Sequence, residues 1–283
     1  MLSGATLLNY RGRYSTQEYA AKRIHKTLIP FLAWNLIWYV VLCVIRDGEP
    51  FDLVVLISKV ISNGVVDVYW FFFPLFSVYI SIPFLSLLID NRRALWALVV
   101  CSFLLESLFP QISSLFGLPW NFELGVPVMS GYLILVVLGY LLSTEDLSAR
   151  KRALIYLVGV IVLTFKFVYT LLASEATFAY DKTLAGYTGF ASVMQSAAVF
   201  VWFKYHDWSR LEKYGHLIAR LASCTFGVYL IHYPILHVVV FGWMGIPMAS
   251  IAFRLFGAAL FFAMLLMAVM LLKRIPYVKN LMP

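Results

Sequence analysis

Eight apolar runs follow one another along the chain, at residues 28–45, 66–89, 94–109, 126–143, 153–173, 189–205, 223–241 and 248–272. A helix needs about 17–25 predominantly apolar residues to cross the ~30 Å hydrocarbon core of a bilayer, and these runs have that length except 94–109, which is slightly shorter. A soluble core could not hide them all. Of the 283 residues, 62% are apolar and 13% are charged, whereas about a quarter of an ordinary soluble domain is charged. The runs do not alternate apolar with polar residues as barrel strands do, so they read as helices. The expected fold is an all-α integral membrane protein, a polytopic bundle of eight transmembrane helices forming one domain over residues 1–283.

The net charge of +8 would suggest a nucleic-acid partner in a soluble domain. Its placement says otherwise. Arg11, Arg13, Lys22, Arg23 and Lys26 precede the first run; Arg92 and Arg93 follow the second; Arg150, Lys151 and Arg152 follow the fourth. Lys204, Arg210, Lys213 and Arg220 surround the link between the sixth and seventh, and Lys273, Arg274 and Lys279 follow the last. The alternate loops hold only Arg46, Lys59 and Lys182. This alternation is the positive-inside pattern, and it puts both ends of the chain in the cytoplasm. The bilayer accounts for the charge, and no nucleic acid is expected. Cys43, Cys101 and Cys224 lie inside apolar runs without paired spacing, so neither a disulfide nor a metal site is expected.

Residues 1–8 form an apolar stub of about 12 Å as helix, too short to span. It reads either as an interfacial anchor or as the remnant of a preceding helix. Charges within the runs are Glu106, Lys166 and Arg254, with Glu123 and Asp67 at the same outer boundary. They fit either snorkelling with a structural ion pair or an outward-opening polar pocket for a hydroxylated substrate. His25, His206 and His216 fall in cytoplasmic loops. His232 and His237 share a run but point about 140° apart on a helix, which does not make a metal pair. A lone membrane histidine is more often a strut between helices than a catalyst.

Three segments, in this order, resemble acyltransferase family 3, a family of membrane O-acyltransferases. The first is Leu2-Ser3-Gly4 with the basic stretch Lys22-Arg23-Ile24-His25-Lys26 and Pro30-Phe31, similar to the family's Ser-Gly helix end, Arg-x-x-Arg motif and Pro-led span. The second is Tyr69-Trp70-Phe71-Phe72-Phe73 with Tyr79 and Pro83, similar to its His-x-Trp-Phe segment. The third is Thr225-Phe226-Gly227-Val228-Tyr229-Leu230-Ile231-His232-Tyr233-Pro234, similar to its Gly-x-Tyr-Leu-x-His signature. Gly131-Tyr132 and Leu138-Gly139-Tyr140-Leu141 add weaker support.

The resemblance implies a bacterial cytoplasmic-membrane enzyme that moves an acyl group, usually acetyl, from acyl-CoA to a hydroxyl of a surface polysaccharide or lipid-linked sugar. Acetyl-CoA would be the donor, with no resident cofactor. Arg23 and Lys26 would hold its phosphates, with Arg92, Arg93 and Arg150 widening that rim. Trp70, Tyr229 and His232 would line the acyl path, and Glu123, Glu106 and Lys166 would serve the acceptor side. The family typically has ten spans, so eight here, with the stub as the tail of another, would leave the first two missing.

The sequence also departs from the family. The first-span Arg/Lys-x10-His motif is absent, because Tyr14, Gln195, Tyr205, Leu221 and Phe226 stand eleven residues before the five histidines. Lys26 replaces the second arginine of Arg-x-x-Arg and loses its bidentate fork, and Val68 stands where His-x-Trp has histidine. The catalytic residue is therefore left unassigned, with His232 the one candidate in this chain. A non-catalytic membrane subunit remains open, as does a small-solute transporter with its seventh span broken at Gly227 and Pro234.

Overall fold

Among the described residues, six helices are long and apolar enough to cross a membrane, by length and composition: α2 (Thr16–Arg46), α4 (Asp67–Leu88), α5 (Arg92–Leu115), α7 (Ala149–Thr177), α9 (Ser209–Trp243) and α10 (Phe253–Leu272). The shortest, at 20 residues, reaches about 30 Å. Shorter helices are α1 (Leu2–Leu7), α3 (Leu53–Ile61), α6 (Leu133–Thr144), α8 (Phe190–Tyr205) and α11 (Pro276–Leu281). This computed structural model describes every residue except Phe122, Glu123, Ser130 and Met248, and there is no strand among the described residues.

Two of the eight apolar runs thus fold shorter than expected. In 126–143 the chain makes a 3-10 turn over Pro127–Met129 and takes a left-handed conformation at Gly131 (φ 64°), so helix begins only at Leu133 and lasts 12 residues. The run at 189–205 gives the 16-residue α8, which ends where His206 turns extended. The long helices err in the other direction. α2 and α9 start well before their apolar runs and carry Lys22, Arg23 and Lys26, or Arg210, Lys213 and Arg220, on helical turns. Hydropathy marks where water is excluded, whereas the helix ends where its backbone bonds do. α10 starts at Phe253, so Arg254, six residues into its apolar run, lies in the first turn of the helix.

The chain forms two compact units: residues 1–16 with 74–207, and residues 17–73 with 208–283. In the first, α6 is central, with nine of its 12 residues buried. α1 packs on it through glycines: a Cβ at Gly4 would overlap the Val136 backbone, and one at Gly139 the Met1 backbone. Small residues allow this close approach of backbones. The stub is therefore a packed element of this unit, with Leu8 fully buried. α7 pairs with α8, where Gly159 meets Ala198. Its remaining surface is bare, with Leu154, Leu157, Val160 and Ile161 all exposed. Such an apolar face is stable against lipid and not against water.

In the second unit, α9 packs on α10 and α11 on α2. Gly227 makes room for Val269, and the Trp34 indole donates to the Leu281 carbonyl at 3.0 Å. Tyr39, Cys43 and Leu56 form a small core between α2 and α3.

Candidate functional site

The signature stretch 225–234 lies in α9, and its chemistry starts from a missing hydrogen. Pro234 has no N–H, so the carbonyl of Leu230, four residues earlier, loses its helical donor. Two side chains replace it: the Tyr69 hydroxyl donates to Leu230 O at 2.7 Å and the Trp38 indole at 3.0 Å. In return the Tyr229 hydroxyl donates to the carbonyl of Val68. The Tyr69 and Tyr229 rings stack at 6.2 Å, and Phe72 and Phe31 close around them. The second and third of the sequence segments singled out above are thereby bound to each other. A buried carbonyl without a donor is costly in a membrane, which explains why a proline here comes with Tyr69 and Trp38.

One turn further, His232 Nδ1 lies 2.7 Å from the carbonyl of Tyr229. A carbonyl only accepts, so Nδ1 carries the hydrogen and Nε2 of the neutral ring keeps its lone pair. His232 and Tyr229 border a cavity of about 350 Å³ between α9 and α10. Its other walls are apolar except for Thr225: Val228, Leu236, Phe253, Ala258, Phe261, Phe262 and Leu265. The Thr225 hydroxyl donates to Ala222 O at 2.8 Å, and that of Tyr229 is committed to Val68. His232 is thus the lining side chain with a basic nitrogen. An imidazole whose second nitrogen is fixed by a carbonyl can take a proton from a hydroxyl that reaches it.

The structure brings together only some of the residues expected from sequence. Trp70 sits beside this tie, edge-on to Phe71 at 6.2 Å and partly exposed, and it does not line the cavity. Arg23 is half-buried with its guanidinium 5.6 Å from the Tyr19 ring, Lys26 is exposed, and neither lines the cavity. Arg23 precedes the π-helical turn Ile24–Leu28 and Lys26 lies within it, a wide turn of a kind frequent at functional sites. Asp67 is exposed and accepts from the Tyr233 hydroxyl at 3.4 Å.

In the other unit, Glu106 accepts the Val126 backbone N–H at 2.9 Å, and Lys166 donates to Ser192 at 3.3 Å. Each ties down a neighbouring segment, and no ion pair joins them among the described residues. Arg92 lies 3.6 Å from Glu145. Glu123 lies outside the described residues. Sequence reasoning missed Trp38, Tyr69 and the α10 wall of Phe253, Phe261 and Leu265. For the first two a signal existed, since Pro234 announces an orphan carbonyl at Leu230; for the wall there was none.

A family model described as an acyltransferase domain matches residues 1–273. The chain belongs to acyltransferase family 3. The match takes in both units and all six long helices, which makes this a multi-pass membrane protein of the acyltransferase type. Comparison with curated proteins and with solved structures gives no match.

Proposed function

We propose that this chain is a membrane O-acyltransferase that moves an acetyl group from acetyl-CoA to a hydroxyl of a surface polysaccharide or a lipid-linked sugar, with His232 as its base. The observation that carries this reading is the 2.7 Å contact of His232 Nδ1 with the Tyr229 carbonyl at the wall of an apolar cavity, within a chain of this family. Nε2 takes the hydroxyl proton as the oxygen attacks the thioester carbonyl. The CoA sulfur then leaves as the carbonyl re-forms, and the imidazolium returns the proton to it. Arg23 and Lys26 would bind the CoA phosphates, supported by their place on adjacent turns of α2 and their positive charge. Trp70 and Tyr229 shape the acyl path, and Glu106 and Lys166 hold the scaffold.

The same reading treats the chain as one domain in a bacterial cytoplasmic membrane, with the runs 126–143 and 189–205, which contain α6 and α8, crossing alongside the six long helices and both ends inside. The alternating placement of Lys and Arg supports that orientation. Val68, standing where the family's His-x-Trp segment has its histidine, favours a second reading, a non-catalytic membrane subunit.

One experiment separates them. Full-length protein in nanodiscs is given acetyl-CoA and lipid-linked oligosaccharide, and CoA release and label transfer are followed. Acceptor-dependent release is expected, with His232→Gln lowering the rate by about 10²–10⁴-fold, the usual worth of a general base. Acetyl-CoA binding without turnover would select the non-catalytic subunit. No binding at all would remove the acyltransferase reading for this chain.

A further inference from the structure

The basic end of the α7–α8 pair has a second cavity, of about 290 Å³, lined among others by Arg152, Ala153, Tyr156, Trp202, Tyr205 and His206. The cations around it are not equivalent. Lys204 is spent, since its ammonium donates to the carbonyls of Leu142 (2.9 Å) and Glu145 (2.6 Å) and so caps α6. Lys151 and Arg92 face Glu145 at 3.9 and 3.6 Å. Arg152 instead points into the cavity region with its guanidinium 4.4 Å from the Tyr205 ring centroid, and its Nε is shielded from solvent without a hydrogen-bond partner. The Tyr205 hydroxyl does not supply one; it accepts the Leu147 N–H at 2.6 Å and donates to Asp146 Oδ1 at 3.1 Å. A shielded donor without an acceptor costs free energy unless a ligand provides one. The cavity also includes Ala149, the first residue of α7, where the helix dipole favours an anion.

We propose that this cavity holds the phosphate of an anionic phospholipid, gripped by Arg152. Two observations favour a lipid over a soluble phosphate or nucleotide. The two helices that line the cavity are bare and apolar beyond it: Leu154, Leu157, Val160 and Ile161 on α7 and Val199 and Phe203 on α8 are all exposed, and an acyl chain would cover them. Trp202 and His206 pack on each other at 4.7 Å, so that those two rings form no slot for a nucleobase. Basic pockets between transmembrane helices near the cytoplasmic surface are the usual place for acidic headgroups, and the indole of Trp202, 43% exposed, suits the same depth.

The test is native mass spectrometry of the full chain from micelles doped with phosphatidylglycerol or phosphatidylcholine, with and without millimolar inorganic phosphate or ATP. Wild type is expected to retain one phosphatidylglycerol and at least fivefold less phosphatidylcholine. Arg152→Ala should lower that occupancy about tenfold. Ala153→Phe, which fills the cavity but leaves the arginine, should do the same, and Arg152→Lys should fall between. Size exclusion reports folding, and if Arg152→Ala misfolds, the other two variants decide. Unchanged phosphatidylglycerol in Ala153→Phe and Arg152→Lys, or equal retention of phosphatidylcholine, overturns the proposal. Displacement by phosphate or ATP overturns the lipid assignment in favour of a soluble phosphate.

Discussion

Helices α6 and α7 are joined by a short turn and are alike in their apolar sequence, yet they live in different solvents. α6 has nine of its 12 residues buried in protein; α7 has one, Gly159, of 29. An apolar sequence therefore reports that water is absent, and says nothing about whether a lipid chain or another helix replaces it. The short helix can be short because neighbours cover it, and 10–14 apolar residues are the usual length of a helix buried in that way. The long one has to match a bilayer unaided. The two also differ in what stabilises them: α6 depends on close backbone approach and shape, α7 on transfer of a whole face out of water.

That contrast can be broken at specific positions. The largest effect is expected for Gly139→Leu on α6, where even a Cβ overlaps the Met1 backbone. Forcing a side chain into such a contact should cost upwards of about 3 kcal/mol, read as loss of the folded fraction in thermal unfolding in detergent. Next is Leu141→Ala, at a fully buried position on α6. We expect about 2 kcal/mol, the low end for a buried leucine, because in a membrane the cavity term survives while the transfer term shrinks. The smallest is Leu157→Ala on α7, 57% exposed, which should fall below about 0.5 kcal/mol since lipid fills the space left. If Leu157→Ala matched Leu141→Ala in the same unfolding assay, α7 would be covered by protein and the contrast would fail.

Much of this was legible in the sequence, but by two different kinds of signal. Run length and the placement of arginine and lysine gave the helical membrane class, because both follow directly from desolvation. The boundaries were not readable that way. Lys22, Arg23 and Lys26 are strong helix formers, so α2 continues through them although they belong outside the hydrocarbon, and Gly131 interrupts an apolar run that hydropathy counts as continuous. At the site, Tyr229 and His232 were visible as members of a signature. The partner carbonyls of Val68 and Tyr229 were not, since backbone atoms leave no mark in residue identity. Nor were the partners of Glu106 and Lys166, since the Val126 N–H that bonds Glu106 and the Ser192 hydroxyl that meets Lys166 are matters of folding, not of composition.

The doubly held carbonyl of Leu230 has a mechanical consequence. In an ordinary helix a carbonyl bonded within its own strand moves with it, and the helix can rotate or slide past its neighbours at little cost. Here the two donors come from other segments, Trp38 on α2 and Tyr69 at the start of α4. A displacement of α9 by one residue, about 1.5 Å along its axis, would break both bonds at once and leave three polar groups stranded in an apolar interior. Motion at this point is therefore all-or-none: α9 is clamped in a single register, and His232, two residues past the clamp, is indexed to that register.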